Sequence, residues 1–234
     1  MSGFRGDLIS EIEFAKKHFD FTEITIQPEL LEKIEDILPG LKKAVGSFAV
    51  LGHVHWEIVE LDAIKKNIEV LKVLGAQKIT MHPFNNLSIE ENVAIFKGLD
   101  IFLQKNCLQL LIENVSSAPF NFARELSQLL EKIPNAKITL DIGHANRNKE
   151  LDKFLEIFKN RIGHIHLHHN VGNSDHLFYT DKGKIDAILA RIKSFDYDDT
   201  ILLETFSIVQ DGKNVSQEFP EIKKLHIGQL EYVQ

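Results

Sequence analysis

Six side chains that bind metals or carry protons, His53, His82, Glu113, Asp141, His166 and Glu204, recur along the chain at intervals of roughly 25–40 residues. An imidazole offers a neutral nitrogen to a divalent cation, and a carboxylate offers a hard oxygen. Mixed His and Asp/Glu sets therefore suit Zn²⁺ or Mn²⁺ and also accept Co²⁺, Fe²⁺ or Mg²⁺. The same carboxylates can take and return a proton next to a carbonyl. The densest run is Arg161-Ile-Gly-His-Ile-His-Leu-His-His-Asn170, with His164, His166 and His168 at alternate positions. On a strand these three share one face. A polar edge strand, or core histidines satisfied by hydrogen bonds, would read the same, and His-rich tracts alone are weak metal indicators.

The segments that carry these groups alternate between two hydrophobic periods. Period-two, β-branched runs at 21–27, 48–56, 77–82, 108–113, 137–141, 163–168 and 200–206 read as strands. Between them lie runs of helical spacing: 29–38 stopped at Pro39-Gly40, 58–74 ended by Gly75, and 88–103 opened by the capping box Ser88-Ile-Glu-Glu91. Further helices are expected at 121–133, 149–159 and 185–195, with an amphipathic helix before them at 8–19 and a last one at 219–230. Strand and helix in alternation make consecutive βαβ units and a parallel sheet. No Gly-x-Gly-x-x-Gly turn follows a strand, which disfavours a doubly wound nucleotide-binding sheet. The expected fold is α/β, a single (β/α)8 TIM-barrel domain over residues 1–234, its very short first strand at Met1–Phe4.

In such a barrel the carboxyl ends of the strands converge on one face, where active sites are built. His53, His82, Glu113, Asp141, His166 and Glu204 each fall at such an end, and His144 follows Asp141 by three residues. Glu113 and Glu204 have the competing reading of solvated strand-end carboxylates. His55 reads as packing. His168 and His169 are expected on the substrate side or in solvent, and Asp175-His176 in a loop, as substrate contacts, additional ligands or surface residues.

Composition narrows the partners. The 234 residues carry a net charge of −7 with no Lys/Arg block, so nucleic acid is a disfavoured partner and a small molecule the expected one. The single cysteine, Cys107, excludes an internal disulfide and, just before the apolar run 108–112, is expected to be buried and inert. No apolar run approaches the ~20 residues that span a bilayer, and Met1-Ser-Gly-Phe-Arg carries no leader pattern, so the expected location is cytoplasmic.

The motifs resemble those of the xylose isomerase-like barrel superfamily, which includes sugar isomerases and epimerases and apurinic endonucleases. The matching pieces are Leu-Gly-His53-Val-His-Trp, Ile-Thr-Met-His82-Pro, Leu-Ile-Glu113-Asn, Leu-Asp141-Ile-Gly-His144-Ala, His-Ile-His166-Leu-His and Leu-Leu-Glu204-Thr. The resemblance covers residues 21–206. It implies Glu113, Asp141, His166 and Glu204 as ligands of one divalent ion, and His53 and His82, bridged by Glu113, as ligands of a second. It implies His144 as a substrate contact or third-ion ligand. The chain departs from the family pattern where Asp175 directly precedes His176 and where His169 stands in place of an aspartate; its first strand also lacks the usual polar ending. The implied activity is a metal-dependent isomerase or epimerase of a sugar or sugar phosphate, with Glu113 and Glu204 as acid and base. The alternative is a phosphodiesterase or hydrolase of the apurinic-endonuclease type, using two or three ions.

Overall fold

The computed structural model describes residues 8–171, 174–177, 182–204, 209–210, 213–214 and 227–229. After α1 (Leu8–His18), strands and helices alternate: β1 (Phe21–Ile26), α2 (Pro28–Glu32), α3 (Ile34–Val45), β2 (Ala49–Val54), α4 (Leu61–Val73), β3 (Lys78–Met81), α5 (Ile89–Lys105), β4 (Gln109–Glu113), α6 (Ala123–Glu131) and β5 (Lys137–Asp141). Then follow α7 (Ile142–Arg147), α8 (Leu151–Phe158), β6 (Ile162–Leu167), the strands β7 (His169–Val171) and β8 (Ser174–Leu177), α9 (Lys182–Lys193) and β9 (Ile201–Leu203). The short pair β10 (Val209–Gln210) and β11 (Lys213–Asn214) precedes β12 (Ile227–Gln229).

One eight-stranded sheet runs β1-β2-β3-β4-β5-β6-β9-β12, and every pairing in it is parallel. Its outer strands approach one another, with Cα atoms of β12 and β1 within 8 Å, so the sheet is a nearly closed TIM barrel. The expected fold class holds, but the strand count is assembled differently. Phe21–Ile26 takes the first position, and the eighth is filled by Ile227–Gln229, inside the segment expected to be helical. The expected strand at Met1–Phe4 lies outside the described residues, as does the stretch 219–226.

Alternation along each strand divides the barrel into two interiors. Outward-facing Ile24, Val50, Ile79, Leu110, Ile112, Leu140, Ile165 and Leu203 join buried helix residues such as Ile64, Leu71, Phe96, Leu126 and Phe154 in one large apolar cluster. The lumen is different. Its apolar part is the small cluster Phe21, Leu51 and Leu202, and above this come Glu23, His53, Thr80, Glu113, Thr139, Asp141, His164 and His166, all buried. Thr80 and Thr139 hydroxyls bond to each other at 2.9 Å across it. At the amino-terminal end the Lys78 ammonium donates to the Gly163 carbonyl at 2.9 Å and pairs with Asp199.

The capping box forms as expected: Glu91 N–H donates to Ser88 Oγ at 3.2 Å and Ser88 N–H to Glu91 Oε2 at 2.8 Å. Gly75 takes a φ of 100° just beyond α4, as a helix-terminating glycine should. Pro39 does not stop its helix. α3 runs through it to Val45, because the lost backbone bond falls on an exposed turn while Ile34, Leu41, Ala44 and Val45 bury the opposite face. Cys107 is exposed rather than buried; it occupies the positive-φ position (58°) where the chain leaves α5 for β4.

Candidate metal centre

The carboxyl ends of β2 to β6 and β9 bring the six expected side chains together. His53, on β2, and His82, just after β3, place their Nε2 atoms 3.1 and 3.2 Å from the same oxygen, Oε2 of Glu113 at the end of β4. The other Glu113 oxygen, Oε1, lies 3.2 Å from Nδ1 of His166 on β6. That nitrogen is also 3.1 Å from Oε2 of Glu204, which follows β9. Glu113, Asp141, His166 and Glu204 offer ligand atoms that all lie within 4.8 Å of one another, and so do His53, His82 and Glu113. Glu113 belongs to both sets.

Local structure fixes these positions. Parallel register sets Asp141 opposite His166, so their side chains enter the lumen at one level. Asn114, next after Glu113, ties β4 to β5: its amide donates to the Asp141 carbonyl at 2.9 Å and accepts from Asp141 N–H at 2.8 Å. Asp141 caps α7, a helix the sequence reading missed, by accepting His144 N–H through Oδ1 at 2.6 Å. Its Oδ2 takes His168 Nε2 at 2.9 Å, and His168 Nδ1 accepts from His176 N–H at 3.2 Å. The His168 ring lies on the Gly143 backbone: a Cβ at Gly143 would stand 2.0 Å from His168 Cε1.

His168 is therefore fully buried rather than exposed to solvent. It forms a third group with His144 and His176, whose nitrogens again lie within 4.8 Å of one another. His176 is on a strand, β8, not in a loop, and its Nδ1 approaches Glu204 Oε1 at 3.4 Å. Asp175 is its neighbour on β8. His169 opens β7, partly exposed. His55, buried, stacks on Trp56 with ring centroids 5.7 Å apart.

The carboxylates and imidazoles of the cluster hold one another in their charged forms. Burial would raise each carboxyl, but the imidazoles beside them win. His166, His82 and His53 hold Glu113 well below the ordinary carboxylate range; His144 and His168 bring Asp141 to about 2; His176 and His166 bring Glu204 to about 2. Conversely, burial would lower His166, yet Glu113, Glu204 and Glu23 push it well above an ordinary imidazole, and Glu113 raises His82. Several buried atoms lack a well-formed hydrogen bond: Nδ1 of His53, Nε2 of His82, Nδ1 of His166 and both Glu204 oxygens. Lone pairs gathered without donors cost free energy unless a proton or a cation lies among them. The donor set fits a divalent ion.

Sequence reasoning passed over Glu23. It sits in mid-strand on β1, its Oε2 3.1 Å from His164 Nε2 and its Oε1 3.4 Å from His166 Nε2. Burial would raise its carboxyl, but His166 and His164 bring it to about 2. The signal was available, since a single charged residue in Phe-Thr-Glu-Ile-Thr-Ile must face either solvent or a polar lumen.

Above the centre opens a cavity of about 1070 Å³, bounded by the segments after β1 to β4 together with His144 and His176. His82, His144 and His176 face it, while Glu113, Asp141, His166 and Glu204 lie outside its lining. Trp56, 57% exposed, and Phe84 give it flat apolar walls; Asn85, Asn86, Ser116 and Ser117 give it hydrogen-bonding groups. Glu29 and Glu57 are its charged residues apart from histidine, and no Lys or Arg is among the described lining.

A parallel barrel with His and carboxylate side chains gathered at its carboxyl-terminal face belongs to the class of TIM barrels that build their site there. The chain belongs to the xylose isomerase-like TIM barrel family, whose model matches residues 10–225. Two uncharacterized proteins of Methanocaldococcus jannaschii are each 32% identical to it, over 136 and 107 residues, or 55% and 43% of this chain. The chain spans only 54% and 36% of those relatives' lengths. Among solved structures it is similar to the probable 3-DHS dehydratase AsbF of Bacillus anthracis (TM-score 0.61, 14% identity, 98% of this chain and 88% of that one). It is similar to endonuclease IV of Thermus thermophilus (0.57, 17%, 97% and 87%) and to a xylose isomerase domain protein of Planctomyces limnophilus (0.63, 13%, 93% and 90%). At these identities the structural likeness speaks for the fold.

Proposed function

We propose that the protein is a divalent-metal-dependent isomerase or epimerase of a small polyhydroxylated carbonyl compound, a sugar or a sugar phosphate. The observation that carries this reading is the buried set Glu113, Asp141, His166 and Glu204, placed just below a cavity of small-molecule size. These four would hold the ion, Zn²⁺ or Mn²⁺ by donor type. When bound, the ion supplies Lewis acidity to a substrate carbonyl. Glu204 and Glu113, ionised at neutral pH, flank His166 Nδ1 and are the groups to take and return the proton on the carbon next to that carbonyl. Trp56 and Phe84 would receive the apolar face of a sugar, and the Asn85, Asn86, Ser116 and Ser117 side chains its hydroxyls. With Glu29 and Glu57 on the walls and no Lys or Arg among the described lining, an unphosphorylated substrate is favoured over its phosphate.

The test is exchange of solvent deuterium into a panel of keto- and aldo-sugars by metal-loaded protein. Exchange on at least one free sugar is expected; no exchange across the panel would sink the reading. A second reading has its own support. Glu113 joins His53 and His82 to the four-residue set, the arrangement of two adjacent ions that would serve a metal-dependent hydrolase. Elemental analysis separates the two: one ion per chain favours the isomerase, and two or three ions with nicking of abasic DNA would favour the hydrolase.

A further inference from the structure

Glu23 has no part in the chemistry described so far. Its carboxylate is fully buried and lies on the lumen side of β1, among imidazoles. His164 Nε2 is 3.1 Å from its Oε2; His166 Nε2 is 3.4 Å from its Oε1 and 3.5 Å from its Oε2. The far nitrogen of each ring is also engaged or committed. His164 Nδ1 lies 2.7 Å from Thr200 Oγ1 and 3.1 Å from the Thr200 carbonyl, while His166 Nδ1 faces Glu113 and Glu204. A line of polar contacts thus runs from Thr200 through His164 and Glu23 to His166.

An imidazole binds a metal ion through a nitrogen that carries no proton, and what the other nitrogen bonds to decides which one that is. With a carboxylate at Nε2, the proton stays at Nε2 and the lone pair stays at Nδ1. The opposite tautomer would aim an N–H into the ligand set and leave two acceptors, Nε2 and the Glu23 carboxylate, facing each other in a buried lumen. We propose that Glu23 is a positioning residue of the metal centre: it accepts His166 Nε2–H and so presents Nδ1 to the ion. His164 Nε2 lies 3.1 Å from the same carboxylate, a close polar contact without a well-formed hydrogen bond, and its Nδ1 is held by Thr200, so the ring packs against Glu23 and keeps it from swinging away. The inference rests on the reading of Glu113, Asp141, His166 and Glu204 as a metal site, and it adds a residue on β1 that contacts neither ion nor substrate.

The experiment compares wild type, Glu23→Gln, Glu23→Asp and His166→Ala, using Mn²⁺ or Zn²⁺ alone as the probe. Gln keeps the shape but removes the charge and replaces one acceptor oxygen with an N–H donor, so the two rings must share a single, weaker acceptor or one of them must face a donor. Glu23→Gln is expected to weaken ion binding about 10–100-fold with little change in the unfolding midpoint of the metal-free protein. Glu23→Asp, which keeps the charge, should recover part of the loss. A long-range ¹H–¹⁵N spectrum of the Zn²⁺-loaded wild type should show His166 protonated at Nε2. If Glu23→Gln does not fold, Thr200→Val, which removes the hydroxyl at the far end of the line, should weaken binding in the same direction. Wild-type affinity in a folded Glu23→Gln, or in Thr200→Val if that is the variant used, would overturn the proposal if His166→Ala abolishes binding. If His166→Ala changes nothing, the metal reading itself falls and this inference falls with it.

Discussion

Glu113 stands where two ligand sets meet, with one oxygen turned to His53 and His82 and the other to His166. Its replacement should therefore be felt twice. Glu113→Gln is expected to reduce ion stoichiometry or affinity at both positions and to abolish turnover, whereas Glu204→Gln should abolish turnover while the His53–His82 position still binds. Both variants should retain the wild-type circular dichroism spectrum; full activity in either would remove that residue from proton transfer. Protons compete for the same nitrogens. Because Glu113 and its neighbours hold the folded pKa values of His166 and His82 above the ordinary 6.5, apparent ion affinity should rise with pH through and beyond that value, by about tenfold per unit for each proton released. A flat pH profile in a metal titration would contradict this. Metal-free stability follows the opposite sign. The raised histidines stabilise fully below 6.5 and lose that contribution as pH climbs through their folded values. Glu23 and Glu204, depressed from 4.5 to about 2, stabilise above 4.5 and lose it as pH falls toward 2. Unfolding by urea in the presence of chelator should show its maximum in the mildly acidic window between. The identity of the ring residues was legible because each ends a hydrophobic run, and the lone charge in Phe-Thr-Glu-Ile-Thr-Ile marked Glu23; the partners of Glu23 and the burial of His168 were not legible, since both depend on which strand lies across the lumen.

At the scale of elements, the turn from β5 into α7 does the most to shape the site. Asp141 ends the strand, caps the helix and holds His168, and Gly143 leaves the space in which the His168 ring lies. Gly143→Ala should expel that ring, cost about 1–3 kcal/mol of stability and weaken ion binding, as checked by denaturant unfolding and metal titration. Gly98 provides the contrast. It is exposed within α5, and a Cβ added there would meet nothing within 4 Å, so Gly98→Ala should stabilise by about 0.5–1 kcal/mol. A loss of stability there would refute the assignment of α5 as a regular helix through that position. The alternation of strands and helices and the Ser88 capping box could be read from local pattern. The passage of α3 through Pro39 and the six-residue helix α7 could not, because each is decided by tertiary burial and by a cap whose side chain doubles as a site residue.

For the whole molecule, the barrel class was readable from alternation, but its closure was not. The eighth strand is three residues long, Ile227–Gln229; it pairs with β9 and approaches β1, and that second contact joins remote parts of the chain. None of the described helices is long and apolar enough to cross a membrane. The nearly closed sheet holds its four carboxylates, Glu23, Glu113, Asp141 and Glu204, away from water, so an ion that binds only the folded chain should stabilise it markedly. At a free ion concentration a hundred times its dissociation constant, the gain is about 2.7 kcal/mol. Differential scanning calorimetry with and without chelator should show the corresponding shift in unfolding temperature; coincident curves would argue against a resident ion.

The same lumen carries an evolutionary consequence. A buried ionic triad is often replaceable by apolar residues with neutral or stabilising effect, up to about 4 kcal/mol. Selection for robustness alone would thus drift Glu23, His164 and His166 toward leucine-like fillers that extend the small patch of Phe21, Leu51 and Leu202. A library screened for thermal tolerance without any demand for activity should enrich such substitutions, and the variants it yields should be hardier than their parent and blind to metal.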